Sequence, residues 1–286
     1  MVRCNKCREE AAADAPQLCR KHFMDYVEDT IHNTIASRCL FSRDDRIGVG
    51  CSGGKDSTVL LSVLMKLGYN VTALAVDEGI AGYRDASLAS LKEYCASNRL
   101  PLKTLSFAEV SGITLEAHAA VKKPACTGCG KMRRHLLNRL GHGFDAVAVG
   151  HNLDDEAQGI LMNLLRNQIA KLSATGPVAG ITEVAGFVRR VKPLYFVTEK
   201  QVMAYAVLIG LPVSFDECPY ARYSYRSQVR DALNDLEAVQ AGAKRRIVEW
   251  FMRVKPKLME AMKKEAGAPI SADQVSEFLR ASGVNA

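Results

Sequence analysis

A glycine-rich turn that joins an apolar segment to a helical one constrains this chain more than any other feature of its sequence. The stretch 47–58 has the sequence IGVGCSGGKDST, and the apolar run 59–64 follows it directly. We interpret it as a short buried strand, a turn, and a helix that begins at Asp56 or Ser57. Two adjacent glycines in the turn let the backbone approach a ligand, because no Cβ stands in the way.

The turn and the start of that helix form a candidate phosphate site. The first helical turn presents unpaired N–H groups and the positive end of the helix dipole, and Lys55 adds a full positive charge. The pattern differs from the Walker A loop, because Val49 occupies the first glycine position and Asp56 follows the lysine. A glycine pair before a helix is also common as plain packing. The residues expected at the phosphates are Ser52, Gly53, Gly54, Lys55, Asp56 and Ser57.

Composition and charge predict a soluble globular protein. Hydrophobic residues make up 48% and charged residues 24% of the 286 residues, which is ordinary for a globular domain. No apolar run approaches the roughly 18 residues of a membrane span, and residues 1–7 contain no signal-peptide core. We therefore expect a cytoplasmic protein whose nine cysteines are metal ligands or reactive thiols rather than disulfides. The net charge of +7 suits a polyanionic partner, although an ordinary basic enzyme explains it as well.

Four residues of metal-binding type stand near the amino terminus as two close pairs. Cys4 and Cys7 are separated by two residues, and so are Cys19 and His22. Each pair can bind one ion from a single turn, and this number and spacing match a closed tetrahedral zinc site. The alternative is a set of unrelated surface thiols. Because protein ligands fill all four positions, we predict a structural Zn²⁺ module at 1–25.

Strand-like and helix-like segments alternate from Arg46 onward, which indicates a parallel sheet with helices on both faces. Ligands of such sheets bind beyond the carboxyl ends of the strands. We assign this α/β fold to a catalytic domain at 26–218. The expected strands are 47–49, 71–76, 102–106 and 146–150, and the expected helices are 23–35, 57–67, 83–98, 131–140 and 153–166.

Residues from two further segments are expected at the same edge of the sheet. Ala75 and Val76 end the second strand, and Gly150 ends the fourth. The next helix carries Asp154 and Asp155 in its first turn, where the helix dipole alone favours carboxylates. Beside a phosphate site they would also suit Mg²⁺ binding or proton transfer, and Asp154 is the predicted Mg²⁺ ligand. We infer one ligand crevice.

Three other cysteines form a second group. Cys126 and Cys129 precede a basic helix, and Cys218 stands far along the chain with no fourth cysteine near either segment. Three thiolates can hold an iron–sulfur cluster and leave one iron open for an exogenous ligand. Zinc, redox and persulfide chemistry stay open for a bare C-x-x-C pair. Because Lys131 and Arg133 follow at a helix start, we expect lowered thiol pKa values.

Six motifs occur in a characteristic order along the chain. They are SGGKDS at 52–57, DEGIAGYRD at 77–85, CTGCG at 126–130, GHNLDD at 150–155, LMNLLR at 161–166 and ECPY at 217–220. Together they resemble the PP-loop tRNA 2-thiouridine synthetases, in particular the archaeal and eukaryotic cytosolic branch that thiolates the wobble uridine. The thymidine-loop uridine thiolases share most of these motifs.

The resemblance implies a reaction and its cofactors. ATP, with Mg²⁺, adenylates the uridine C2 oxygen of tRNA, and sulfur then replaces that oxygen. The N-terminal ligands bind zinc, and a 4Fe–4S cluster accepts sulfide or the thiocarboxylate of a ubiquitin-like sulfur carrier at its open iron. A homodimer is the family expectation. The implied residues are Cys126, Cys129 and Cys218 for the cluster, Ala75 and Val76 for adenine, and Arg133 and Asp155 near the ATP and the target base.

This sequence departs from the family pattern in two places. No cysteine follows Cys218, whereas many members end in a second zinc module. Cys51 stands before Ser52 where alanine or valine is usual, which leaves open a further reactive thiol.

The region 219–286 is expected to be helical, basic and in contact with tRNA. Aromatic residues and arginines alternate at 220–226, which suits base stacking, although a solvated helix face explains them almost as well. Basic amphipathic helices should follow and pack on the sheet, with a last short helix at 271–281. Other interpretations of the chain stay open: a cytidine thiolase, an amidating ligase, or a zinc-stabilised RNA-binding protein.

Overall fold

The computed structural model describes residues 2–14, 16–117, 125–179, 187–213, 218–221 and 224–266. Within these ranges the strands are β1 (Ala13–Asp14), β2 (Gln17–Leu18), β3 (Arg46–Gly50), β4 (Asn70–Asp77), β5 (Leu102–Ser106), β6 (Ala146–Val149), β7 (Val178–Ala179) and β8 (Arg190–Val191). The helices are α1 (Arg20–Ser37), α2 (Lys55–Lys66), α3 (Tyr83–Ser97), α4 (Phe107–Ser111), α5 (Ala125–Gly141), α6 (Leu153–Leu165), α7 (Ile169–Ser173), α8 (Glu199–Leu208), α9 (Tyr225–Val239) and α10 (Ala243–Ala266).

The main sheet has the strand order β5-β4-β3-β6-β8-β7. β3 lies at its centre, parallel to β4 on one side and to β6 on the other. β5 and β8 extend the parallel sheet, and only β7 among these six strands pairs antiparallel. Ile47, Val49, Ala73 and Ala148 in the central strands are completely buried, as expected when helices cover both faces. The parallel α/β fold expected from the sequence is confirmed.

Several boundaries differ from the expectation. α2 begins at Lys55, one or two residues earlier than expected, and α5 begins at Ala125 rather than Lys131. Cys126 and Cys129 therefore lie in the first turns of a helix and not in a loop before it. The pair β7–β8 was not expected, because strands of two residues show no alternation of apolar and polar positions. The helix expected at 271–281 lies outside the described residues.

Two groups of buried apolar side chains position the ends of the chain. The first runs through the sheet and α1, and it includes Leu18 and Cys19, so the N-terminal hairpin packs on the main core. Another joins Ala157 of α6 to Leu233 of α9 and Phe251 of α10. The C-terminal helices thus cover α6, whereas we expected them to pack on the sheet. Within the described ranges, no helix is both long and apolar enough to cross a membrane.

Candidate active site

The turn after β3 fits closely around the start of α2. Gly53 has a φ of +79°, and a Cβ there would lie 2.1 Å from the carbonyl oxygen of Ser87 in α3. Gly150 approaches the same helix start, because a Cβ on it would lie 2.9 Å from the amide nitrogen of Ser57. Gly54, the N-cap of α2, has no side chain to cap the helix. Glycine therefore leaves the amides of this helix start available to an anion.

The Lys55 ammonium lies between two carboxylates at this helix start. Its Nζ is 3.1 Å from Asp56 Oδ2 and 2.9 Å from Oε1 of Glu199, the first residue of α8. Burial opposes the charged form of the lysine, but the two carboxylates outweigh it and raise the pKa of Lys55. The ammonium is therefore fully charged at neutral pH, as a contact with a polyphosphate requires.

Asp56 and Asp155 line a cavity of about 160 Å³, together with Asp154 and with Glu199, the partner of Lys55. Asn152 donates from Nδ2 to Asp56 Oδ1 at 2.8 Å, and Arg226 Nη1 lies 3.2 Å from Asp155 Oδ1. Burial raises the pKa of both aspartates, and the nearby cations offset part of that rise. Two carboxylates that face one cavity are suitable oxygen ligands for a divalent cation.

Asp154, the predicted Mg²⁺ ligand, is engaged by the protein on both carboxylate oxygens. Oδ2 accepts from the backbone N–H of Glu199 at 2.7 Å, and Oδ1 accepts from Lys244 Nζ at 2.6 Å. Its side chain is 9% exposed, compared with 27% for Asp56 and 31% for Asp155. Asp154 therefore ties α6 to the starts of α8 and α10, and the other two aspartates are more accessible to a cation.

A buried arginine holds the strand end where adenine is expected. Ala75 and Val76 are buried near the end of β4. The Arg84 guanidinium donates to the carbonyl oxygens of Val76 and Ser52, and its Nε lies 2.8 Å from Oε2 of Glu78. The end of β4 and the turn after β3 are thus fixed to each other. They form an apolar wall with a few polar backbone groups, as in many small-molecule sites.

The three cysteines of the second group lie in the region around the start of α5, although their sulfurs do not all lie within 4.8 Å of one another. Cys129 is buried in an apolar cluster, and Cys218 packs against the same cluster. The Cys126 thiol donates to the carbonyl oxygen of Tyr220 at 3.3 Å, which holds the chain after Cys218 against α5. Arg133 donates from Nη2 to Cys129 Sγ at 3.3 Å.

The expectation of lowered thiol pKa values at this site is wrong. The pKa values of Cys126 and Cys129 lie above the ordinary thiol value, because desolvation of the sulfurs outweighs the attraction of Arg133. Metal ions would supply the missing charge, since a coordinated thiol is deprotonated outright. Cys51 is buried in the main core and burial raises its pKa strongly, which argues against a further reactive thiol.

The four N-terminal ligand residues converge as their spacing suggests. Their ligand atoms all lie within 4.8 Å of one another. Cys4 Sγ and Cys19 Sγ are each 3.4 Å from Nδ1 of His22, and Cys7 Sγ is 3.7 Å from Cys19 Sγ. No second group of this kind occurs in the part of the chain that the structure describes.

Sequence reasoning did not identify Glu199, Lys244 or Arg226 as parts of the site. The start of α8 carries a recognisable signal, because Thr198 and Gln201 form a capping box. Nothing in the sequence, however, brings that helix start to Lys55, which lies 144 residues away. Only the topology of the sheet does so.

Comparison with known proteins connects this geometry to a family. A family model described as a PP-loop domain matches residues 22–237. The tRNA-5-methyluridine(54) 2-sulfurtransferase of Pyrococcus horikoshii is 38% identical over 270 residues, which cover 92% of this chain and 86% of that protein. The cytoplasmic tRNA 2-thiolation protein 1 of Danio rerio is 39% identical over 259 residues, or 85% of this chain and 75% of that protein.

The chain belongs to the PP-loop tRNA 2-thiolation family. A solved structure of the U34-tRNA thiolase NcsA from Methanococcus maripaludis, with its 4Fe–4S cluster, is 29% identical with a TM-score of 0.77. The match covers 90% of this chain and 89% of that one. The enzyme class of the family, ATP-dependent tRNA 2-sulfurtransferase, is that of this chain. The resemblance stated from the sequence motifs is confirmed.

Proposed function

We propose that this chain thiolates the wobble uridine of tRNA at C2 and uses a three-cysteine 4Fe–4S cluster to do so. One observation carries the proposal. The turn that carries Lys55 and the cysteine site are connected by a series of contacts: Arg84 donates to the Ser52 carbonyl oxygen, Glu78 pairs with Arg84 and Arg133, and Arg133 donates to Cys129 Sγ. An enzyme that activates an oxygen and replaces it with sulfur needs both sites within reach of one base.

The activation step uses the groups around α2. The residues that bind the ATP phosphates are those of the turn and the helix start: Ser52, Gly53, Gly54, Lys55, Asp56, Ser57 and Gly150. Asp56 and Asp155 would hold a Mg²⁺ ion, which would offset the charge of the phosphates. Asp154 ties α6 to the starts of α8 and α10 beside them, and adenine lies against Ala75 and Val76. The uridine C2 oxygen attacks the α phosphorus and pyrophosphate leaves. Because the base must reach the phosphorus, we expect it to be extruded from the tRNA fold.

The residues at the second cysteine site fit an iron–sulfur cluster. Cys126, Cys129 and Cys218 offer three thiols: Cys129 and Cys218 belong to one apolar cluster, and Cys126 precedes Cys129 by three residues in α5. A bound 4Fe–4S cluster would supply an iron without a protein ligand, and so an open coordination position for sulfide. The Arg133 guanidinium lies at this site and donates to Cys129 Sγ. Hydrosulfide then attacks the activated C2, the C2–O bond breaks as AMP leaves, and the sulfur loses its proton to give the C2 thiocarbonyl.

The remaining assignments concern structure and partners. Cys4, Cys7, Cys19 and His22 fit a structural Zn²⁺ ion in ligand type and in convergence. The region 219–286 contacts tRNA through its basic helices. We further propose a cytoplasmic homodimer that receives sulfur from sulfide or from a ubiquitin-like thiocarboxylate carrier.

A second candidate substrate is the thymidine-loop uridine. It is favoured by the Pyrococcus horikoshii relative, whose name specifies position 54. The two substrates call for the same chemistry, so the distinction depends on how the tRNA docks and not on the residues around Lys55.

The test is thiolation of a tRNA transcript by the cluster-loaded protein with ATP and sulfide. Mass spectrometry of nuclease fragments reports whether 2-thiouridine forms and at which position. We expect a 2-thiouridine at position 34, and a product only at position 54 would favour the second candidate. Lys55→Ala should lower the rate by about 10²–10³-fold, the usual cost of a lost charge-stabilising donor.

The matched control for that variant is Lys66→Ala. Lys66 lies at the other end of α2 and pairs with Glu28, away from the turn. The Lys66→Ala variant should thiolate tRNA at the wild-type rate. Undiminished thiolation by Lys55→Ala would contradict the role of the turn in activation.

A further inference from the structure

A buried carboxylate connects the nucleotide turn to the cysteine site. Glu78, directly after β4, is 6% exposed and receives an arginine on each oxygen. Oε2 lies 2.8 Å from Arg84 Nε, and Oε1 lies 2.9 Å from Arg133 Nε. Neither arginine is near the other in sequence, so this carboxylate is what joins them.

Arg84 carries the connection to the nucleotide turn. It is 3% exposed, and its two terminal nitrogens donate to the carbonyl oxygens of Ser52 and Val76. A buried guanidinium requires a paired charge, and Glu78 supplies it. Any movement of the turn at Ser52 therefore has to move Arg84, and with it the carboxylate.

Arg133 carries the connection to the cysteines. Its side chain is 52% exposed, so packing alone does not fix its conformation. Glu78 anchors Nε while Nη2 donates to Cys129 Sγ at 3.3 Å. Hydrogen bonds to ligand sulfurs are among the features that tune iron–sulfur clusters. The position of Arg133 on this sulfur is thus set by Glu78.

We propose that Glu78 is a positioning residue that couples nucleotide binding at the turn to the metal-bound state of the cysteine site. The inference rests on the proposed function, because it takes the turn as the ATP site and the cysteines as cluster ligands. Coupling is reciprocal, so a cluster must change the ATP affinity by the same factor by which ATP changes the cluster affinity.

The experiment measures the affinity of α,β-methylene-ATP by anaerobic calorimetry, with cluster-loaded and with cluster-free protein. In the wild type the two dissociation constants should differ by about fivefold or more. In Glu78→Gln their ratio should fall to about one, because the amide cannot pair with both guanidinium groups. Equal affinities in the two wild-type forms, or an unchanged ratio in Glu78→Gln, would overturn the proposal.

Two further variants separate coupling from folding. Glu28→Gln is the matched control, because Glu28 is also largely buried, at 12% exposure of its side chain, and pairs with Lys66 outside the site. It should keep the wild-type ratio. Arg133→Gln breaks the connection at its exposed end and should lower the ratio even if Glu78→Gln does not fold. A wild-type ratio in Arg133→Gln would contradict the connection.

The assay also distinguishes this inference from the proposed function. It contains no tRNA and no sulfur donor, so a failure to thiolate leaves the affinity ratio measurable. Conversely, a wild type that thiolates but shows no coupling would overturn only the role of Glu78.

Discussion

The two cysteine sites contain similar residues, but the first is built from residues close together in sequence and the second from residues far apart. Cys4, Cys7, Cys19 and His22 lie within one short segment, and their ligand atoms converge within 4.8 Å of one another. Cys126 and Cys218 are far apart in sequence, and their site depends on α5, on the apolar cluster around Cys129, and on the contact of Cys126 with Tyr220. The first group offers four potential ligand atoms, enough to close a tetrahedral site, whereas the second offers three.

The pKa values of Cys4 in the first site and Cys129 in the second are shifted in opposite directions. Burial opposes ionisation of Cys4, but surrounding N–H groups and His22 outweigh it and lower its pKa to about 6. At Cys129 burial prevails over Arg133 and the pKa is raised. In the same N-terminal site, the backbone N–H of His22 favours the Cys19 thiolate, but burial and neighbouring side chains outweigh it and raise the Cys19 pKa to about 11. The N-terminal site therefore favours one thiolate at neutral pH, whereas the second site would need the charge of metal ions. A closed site stabilises structure, and an open one is available for chemistry.

The largest expected effect comes from Cys218→Ser. The variant should lose iron and its thiolation rate should fall below detection, while zinc stays bound, because the two sites share no ligand. Metal analysis and the thiolation assay check this result. Cys39→Ser is the control, since Cys39 is exposed and belongs to neither site, and it should match the wild type. Loss of zinc from Cys218→Ser would show that the sites are not independent.

Cys19→Ser should lose zinc and keep iron. If the substitution weakens zinc binding by about 1,000-fold, linkage removes about 4 kcal/mol of stability. For a chain of this size that corresponds to a decrease in Tm of about 10 °C. Calorimetry measures the shift, and metal analysis should find the iron retained. A stable variant without zinc would refute the structural role of the ion.

Leu136→Ala tests how far the second site depends on its surroundings. Leu136 is completely buried in the cluster that contains Cys129. Its truncation should cost about 3 kcal/mol and make the iron easier to remove by a chelator. Leu64→Ala, at an equally buried position of the main core, should cost a similar amount. If both variants release iron at the same rate, the apolar cluster has no specific role.

The smallest effect is a difference in pH profile between thiols of the metal-free protein. Thiolates are the reactive form, so alkylation rises through the pKa of each group. Cys4 should show its midpoint near pH 6, and Cys126 should show one above the ordinary thiol value. Mass spectrometry after iodoacetamide treatment between pH 5 and pH 10 measures both. The same midpoint for Cys4 and Cys126 would contradict the predicted difference between their pKa values.

The same contrast explains what the sequence could predict. The parallel sheet, the turn at Gly53 and the convergence of the four N-terminal cysteine and histidine residues follow from local spacing and periodicity, and the structure shows each of them. Glu199 and Lys244 were missed because the fold, and not their local sequence, brings them to Lys55 and Asp154. The thiol pKa at Cys129 was misjudged for a related reason, since burial in a tertiary cluster cannot be read from neighbouring residues.

The most direct test of the two-site account is the metal content of the anaerobically purified wild type. The wild type should contain about four iron and four acid-labile sulfide ions per chain, together with about one zinc ion. An absorption spectrum should show the cluster and lose it on exposure to an iron chelator. Zinc alone, with no iron bound even after reconstitution, would contradict the account and leave Cys126, Cys129 and Cys218 as a persulfide relay.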